Sequence, residues 1–178
     1  MIIGLLGRSR VGKDTAASFI INTLGSEQAC ITRLSQPLKD AAKCLYGFTQ
    51  EQVEDHKKEE IDQRLGVTPR VCIQKLCEHI MSLHGNDFFS KQLYSRYDTS
   101  GFGFKHIVIP DIRYEHDIHE IRIRGGIIIK IVRTSDVPQH AWEDHVDSIH
   151  GDFLVANDSD ITTLHTKISQ ILHNNGLS

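Results

Sequence analysis

Strong charge of either sign is missing from this chain: 20 lysines and arginines stand against 23 aspartates and glutamates over 178 residues, a formal net charge of −3. That balance excludes a protein that coats nucleic acid or adheres to a membrane by bulk charge, so its basic groups must act locally. Long apolar runs are missing too. The longest, Ile127 to Val132, is interrupted by Lys130 and is far too short to span a bilayer. No basic-then-apolar leader precedes the first strand-like segment, and a cytoplasmic protein is expected. Cysteine is sparse: Cys30, Cys44, Cys72 and Cys77 form no C-x-x-C pair and sit in segments of apolar character, which favours small core residues over disulfides or a metal cluster. His116 and His119 lie three apart on a predicted helix, but without a neighbouring cysteine or third spaced ligand they do not make a zinc site. Internal repeats and low-complexity tracts are absent as well, and the length suits one domain, 1–178, with a full core.

What is present is a phosphate-cradling pattern at the start. Gly7-Arg8-Ser9-Arg10-Val11-Gly12-Lys13-Asp14-Thr15 follows the apolar run Met1-Ile2-Ile3-Gly4-Leu5-Leu6 and precedes a helical pattern of Ala16, Ala17, Phe19, Ile20 and Leu24, stopped by Gly25. The strand, loop and helix context makes G-x-x-x-x-G-K meaningful. Glycines let successive backbone N–H groups face inward, the helix N-terminus adds positive potential, and Lys13 can reach outer phosphates, so a nucleoside triphosphate is the expected ligand. The residue after the lysine is Asp14 where Ser or Thr is commonest. A carboxylate facing bare phosphates would be repelled, so Asp14 fits a place beside Mg²⁺ or its water, with Thr15 on an inner phosphate; the plainer reading has Asp14 complement the helix dipole.

Along the chain, Cys30 to Leu34 reads as a second strand and Leu38 to Tyr46 as a helix stopped by Gly47. Thr49 with Gln52 forms a capping box for a charged helix through Lys58, and Thr68-Pro69 starts another with Val71, Leu76, Ile80 and Leu83 as its core stripe. A helix from about Asp87 to Tyr94 is expected to lead into a loop at 98–103. His106 to Pro110 reads as a strand ending on Asp111-Ile112-Arg113, followed by a helix with Ile118 and Ile121 inward. A carboxyl strand end faces the ligand crevice in open α/β sheets; Asp111 there can hold Mg²⁺ through water, and Arg113 can meet phosphate. Gly125-Gly126 turns the chain into the strand Ile127 to Val132, ended by Arg133. Residues 134–152 lack periodicity; 153–156 form a short strand capped by Asn157, Asp158 and Ser159, and a last helix carries Ile161, Leu164, Ile168, Ile171 and Leu172. The sum is an α/β fold of about five parallel strands with helices on both faces.

The order of these features resembles the nucleoside monophosphate kinases of the P-loop NTPase fold, and more closely the deoxynucleoside monophosphate kinases of phages and large DNA viruses. The resemblance runs through Gly7–Thr15 with its GKDT ending, Pro37-Leu38-Lys39, Thr68-Pro69-Arg70 with Gln74, Asp111-Ile112-Arg113-Tyr114 with Asp117, Gly125-Gly126 before a strand ending in Arg133, and His140 with Glu143 ahead of Asn157-Asp158. It implies a three-layer fold with a helical acceptor-binding insertion at 35–97 and a short lid at 133–152. It further implies transfer of the γ-phosphoryl of ATP, with Mg²⁺, to a (deoxy)nucleoside monophosphate, in the host cytoplasm if the source is viral. Its partners would then be small nucleotides, not a nucleic acid polymer or a membrane, and a homodimer is compatible with it.

On that resemblance Lys13 serves the β- and γ-phosphates, Asp14 and Asp111 serve Mg²⁺, and Gly7 to Thr15 with Asn157 bind the nucleotide. Arg70 and Arg113 meet the acceptor phosphate, Gln74 reads base or sugar, and Lys39 and Arg133 add charge. Tyr114 and Phe102 are candidates for stacking on a base, or core aromatics. Where relatives often continue from the glutamine into a Gly-Thr-Glu-like stretch, this chain has Cys77-Glu78-His79. The lid is unusual as well: Arg133 is its only arginine or lysine, while Asp136, Glu143, Asp144, Asp147 and Asp152 are acidic. Charge for the transferring group is therefore expected from Arg10, and secondarily Arg8, inside the loop. The competing readings are a phosphomevalonate or dephospho-coenzyme A type of kinase and a GTPase-like switch; the switch lacks both an N-K-x-D tetrad and a D-x-x-G after the third strand.

Overall fold

The computed structural model describes residues 1–54, 56–100, 103–134 and 144–177, so Phe102 and the lid residues Asp136, His140 and Glu143 lie outside it. Five strands, Ile2–Leu6 (β1), Ala29–Ile31 (β2), His106–Ile112 (β3), Ile127–Val132 (β4) and Phe153–Ala156 (β5), form one sheet in the order β2-β3-β1-β4-β5, every neighbouring pair parallel. The helices are Lys13–Leu24 (α1), Gln36–Tyr46 (α2), Gln50–Glu54 (α3), Pro69–His84 (α4), Phe88–Ser100 (α5), Glu115–Arg122 (α6), Asp144–Ser148 (α7) and Ile161–Asn174 (α8). Near-continuous β-branched and leucine runs in β1, β3 and β4 are what a sheet covered on both faces requires. Alternation along each strand divides them. Ile3, Leu5, Val108, Ile129, Ile131 and Val155 pack with Ala16, Ala17 and Ile20 of α1 and Leu164, Ile168 and Leu172 of α8. On the other face the backbone of Gly4 approaches α6 so closely that a Cβ there would lie 2.7 Å from Cδ1 of Ile121.

The chain divides into two compact units: Met1–Arg33 with Tyr94–Ser178, which holds the sheet, and Leu34–Leu93, which is helical. The helical unit has its own small core of Ala42, Phe48, Val53 and Cys72, joined by Tyr46, Ile73 and Leu76. Its starts are written locally. Thr49 and Gln52 exchange side-chain and backbone hydrogen bonds at 3.0 and 3.3 Å, the expected capping box. Thr68 Oγ1 accepts from the Val71 N–H at 3.3 Å, with Pro69 in the first helical position.

Several boundaries differ from expectation. The charged helix expected through Lys58 stops at Glu54, and a 3₁₀ turn spans His56–Glu59. In α4 the inward face is set by Cys72, Ile73 and Leu76, leaving Val71 and Leu83 on the exposed side of the stripe assigned to them. Helix α5 continues past Tyr94 because Arg124 draws Asp98 into an ion pair at 2.6 Å, holds Glu120 as well, and lies 4.5 Å above the Tyr94 ring. The cap of α8 is Asp160, which accepts from the Thr163 N–H at 2.7 Å, and Ile161 faces outward. All four cysteines are free; Cys72 is buried, but Cys44 is exposed.

One contact in the helical unit predicts an acid response. The Asp62 carboxylate accepts from the Arg64 guanidinium, the Gln52 amide and the Arg64 backbone N–H, and the guanidinium above all holds its carboxyl well below the ordinary range. A depressed folded-state pKa stabilises fully above the ordinary aspartate value and is lost as pH falls below it. Thermal melts recorded across that range are expected to fall less steeply for Asp62→Asn than for the parent chain; parallel curves would remove Asp62 from the acid response.

Candidate active site

The loop after β1 owes its path to two glycines. Gly7 has φ 151°, and a Cβ there would lie 2.3 Å from the Ile131 carbonyl oxygen; Gly12 has φ 103° and abuts the Asn157 amide. Between them Arg10, exposed, takes φ 62°, the one non-glycine with positive φ among the described residues. Lys13 opens α1 as a buried cation whose Nζ donates to the carbonyls of Gly7 at 2.8 Å and Arg8 at 2.5 Å. Asn157, buried just past β5, donates its side-chain amide to the Val11 carbonyl at 2.9 Å and so braces the loop from the sheet side. Val11 is buried; Ser9 and Thr15 are exposed.

Around this loop stand the charged groups of the sheet unit. Asp14, in the first turn of α1, has a side chain 75% exposed and pairs with Arg33 at 2.8 Å. Asp111 is half-buried near the carboxyl end of β3, and Arg113 follows the strand. Buried Asp117 accepts from the N–H groups of Arg113 at 3.2 Å and Tyr114 at 3.1 Å, which fixes the turn into α6. On α7, His145 Nε2 lies 3.1 Å from the Arg113 carbonyl, so that nitrogen carries the hydrogen. Tyr114 stacks on both His116 and His145, with ring centroids 5.2 and 5.0 Å apart, which makes it part of this packing. Arg8 grips Asp147 of α7 through Nε and Nη2, at 3.0 and 2.7 Å. Arg133 is exposed just beyond β4.

Within the helical unit, Lys39 of α2 pairs with Glu54 at 3.4 Å, and Arg70, in the first turn of α4, pairs with Glu59. Gln74 is half-buried one turn beyond Arg70, so the two share a helix face.

Arg33, Lys130, His145 and Asp147 join the neighbourhood unforeseen as site residues. Lys130 carried a signal, since a cation inside an apolar strand requires buried acceptors. Arg33 follows the second strand, where the crevice rule applies as it does to Asp111. His145 and Asp147 lie in a stretch without periodicity, and nothing local marks them.

A parallel sheet with a glycine loop between β1 and α1, a helix-opening lysine, and D-x-R at the end of β3 defines a nucleotide-binding protein of the P-loop kinase class. Its fold is similar to that of shikimate kinase from Aquifex aeolicus, with a TM-score of 0.52 over 99% of both chains at 14% identity, a likeness of fold alone. The chain belongs to the deoxynucleotide monophosphate kinase family, whose model matches residues 62–168. A relative of that description from Acanthamoeba polyphaga mimivirus is 30% identical over 98% of this chain and 97% of its own. The deoxynucleotide monophosphate kinase of Escherichia phage RB69 is 31% identical over 77 residues, which cover 42% of this chain and 32% of that one.

Proposed function

We propose that this kinase transfers the γ-phosphoryl of ATP to the phosphate of a deoxynucleoside monophosphate, giving ADP and the diphosphate. The observation that carries the reading is the loop itself: two glycines of positive φ and a buried Lys13 at a helix N-terminus, in a chain of this family. The acceptor phosphate is already anionic near neutral pH, so no strong general base is required, and catalysis rests on positioning and charge neutralisation. Lys13 exchanges loop carbonyls for the outer phosphate oxygens, Thr15 meets an inner phosphate, and Arg10 meets the transferring group. Arg113 and Arg70 serve the acceptor phosphate, Gln74 its base or sugar, and Lys39 and Arg133 add positive potential. In the helical unit Arg70 and Lys39 must share or exchange Glu59 and Glu54 for the incoming anion. The mimivirus and phage relatives support a place for the reaction in the host cytoplasm.

The residues fit Mg²⁺. Asp14 and Asp111 offer hard carboxylate oxygens, and a Mg²⁺ shared with phosphates needs only one or two of them, although no group of three or more His, Cys, Asp or Glu gathers among the described residues. When bound there it would neutralise charge on the phosphates. Asp14→Asn is expected to move the Mg²⁺ dependence of activity, and direct Mg²⁺ titration of the nucleotide-bound protein, to concentrations about tenfold higher or more. A dipole role alone would cost about 0.3–1 kcal/mol of stability and leave the Mg²⁺ curve in place, which sinks the metal assignment.

ADP formation measured with each ribo- and deoxyribonucleoside monophosphate, phosphomevalonate and dephospho-coenzyme A tests the whole reading. Fastest turnover with a deoxynucleoside monophosphate is expected; preference for phosphomevalonate or dephospho-coenzyme A overturns it.

A further inference from the structure

Lys130 is a cation on an otherwise apolar strand, 8% exposed, and it stands beside the strand that feeds the phosphate loop, paired in register with Leu6. Its Nζ donates to the carbonyls of Asp147 and Ile149, both at 2.7 Å, and so satisfies acceptors left open at the C-terminal end of α7. Five residues are too few for a helix to hold itself, so α7 keeps its place through such ties and through buried Val146 and Ile149. From that anchored end the Asp147 carboxylate meets Arg8 fork to fork, the geometry in which guanidinium pairing is strongest and most directional. The Arg8 guanidinium holds the Asp147 carboxyl below its ordinary range. The Arg8 carbonyl in turn seats Lys13. A connected path therefore runs from β4 through Lys130, Asp147 and Arg8 to the lysine of the loop.

We propose that Asp147 is a positioning residue for ATP binding: anchored by Lys130, it holds Arg8 as a strut and keeps the phosphate loop in its nucleotide-ready form. The inference rests on the ATP-dependent reading above and gives the acidic lid a use, since this carboxylate orders the loop without touching the phosphoryl group. Asp147 also carries negative charge near a phosphate site, which opposes binding. Its side chain is 60% exposed, so solvent and salt screen that repulsion, whereas a loosened loop would have to be ordered again at each binding event. Ordering is the larger effect.

The test is the dissociation constant of MgATP by calorimetry, with kcat and acceptor KM, for the parent chain, Asp147→Asn, Asp147→Glu, Arg8→Ala, the Asp147→Asn/Arg8→Ala double variant and Lys130→Met, each first melted to establish folding. Asp147→Asn and Arg8→Ala are each expected to weaken ATP binding about tenfold, with the double variant no worse than either, because coupled partners are not additive. Asp147→Glu keeps most of the affinity, and kcat at saturating ATP changes little in the two single Asp147 variants. Unchanged or tighter ATP binding in Asp147→Asn, additive losses, or a fall confined to kcat each overturns the role of Asp147. Should the parent chain itself not bind ATP, the kinase reading falls with it; normal parent binding beside unaffected variants removes the strut alone.

Discussion

Lys13→Ala is expected to lower kcat by about 10²–10³, the scale for removing one preorganised electrostatic donor, while the melting transition stays cooperative. The side chain sits at the start of α1, 9% exposed, with its ammonium held by the carbonyls of Gly7 and Arg8, and Lys13 is not among the residues of the hydrophobic core. Two consequences follow from one deletion. The charge that neutralises the outer phosphates is lost, and two loop carbonyls lose a donor that water at the loop mouth can replace. The first effect acts in the transition state and the second on loop order, so kcat is expected to fall far more than stability. A coupled assay of ADP formation with the best acceptor, set beside a thermal melt, checks both; near-normal turnover overturns the phosphate-loop assignment, and a collapsed melt makes Lys13 chiefly a structural residue.

The loop was legible because its chemistry is local. Gly7 and Gly12 are required by positive φ and by the close passage of Ile131 and Asn157, and such requirements show as glycines at fixed spacing. The same holds for Thr68-Pro69 and for Thr49 with Gln52, where donor and acceptor lie within one turn. Tertiary partners were not legible. Asp98 reads as loop-forming until Arg124, distant in sequence, claims it, and the inward face of α4 is decided by which neighbours Cys72 and Leu76 meet. Asp147 shows the limit most plainly: its value comes from Arg8, 139 residues earlier, and from a lysine on β4 whose presence in an apolar strand was the only hint. Asp14 lies between these cases. Its departure from Ser or Thr was visible, but its pairing with Arg33 depends on where β2 ends.

The two loop arginines are now separable. Arg8 is committed to Asp147, whereas Arg10 is exposed and holds a left-handed backbone conformation that costs an L-residue about 1–2 kcal/mol. A glycine would fit that φ without strain, so an arginine there points to work done by its side chain. With no lysine and no arginine but Arg133 in the lid, charge on the transferring phosphoryl group must come largely from elsewhere, and a guanidinium set between Gly7 and Gly12 is within the loop that wraps the phosphates. Arg10→Ala is therefore expected to lower kcat by at least about 10²-fold with little change in ATP affinity, the mark of an interaction made mainly in the transition state. Arg10→Gly separates strain from chemistry: it is expected to lose the same kcat and yet to melt no lower than Arg10→Ala, because the left-handed conformation no longer meets a Cβ. Steady-state kinetics and ATP dissociation constants for both variants, with Arg133→Ala alongside, decide the matter. If Arg133→Ala carries the large kcat loss and both Arg10 variants turn over normally, the phosphoryl group is served from the lid and Arg10 has no catalytic part.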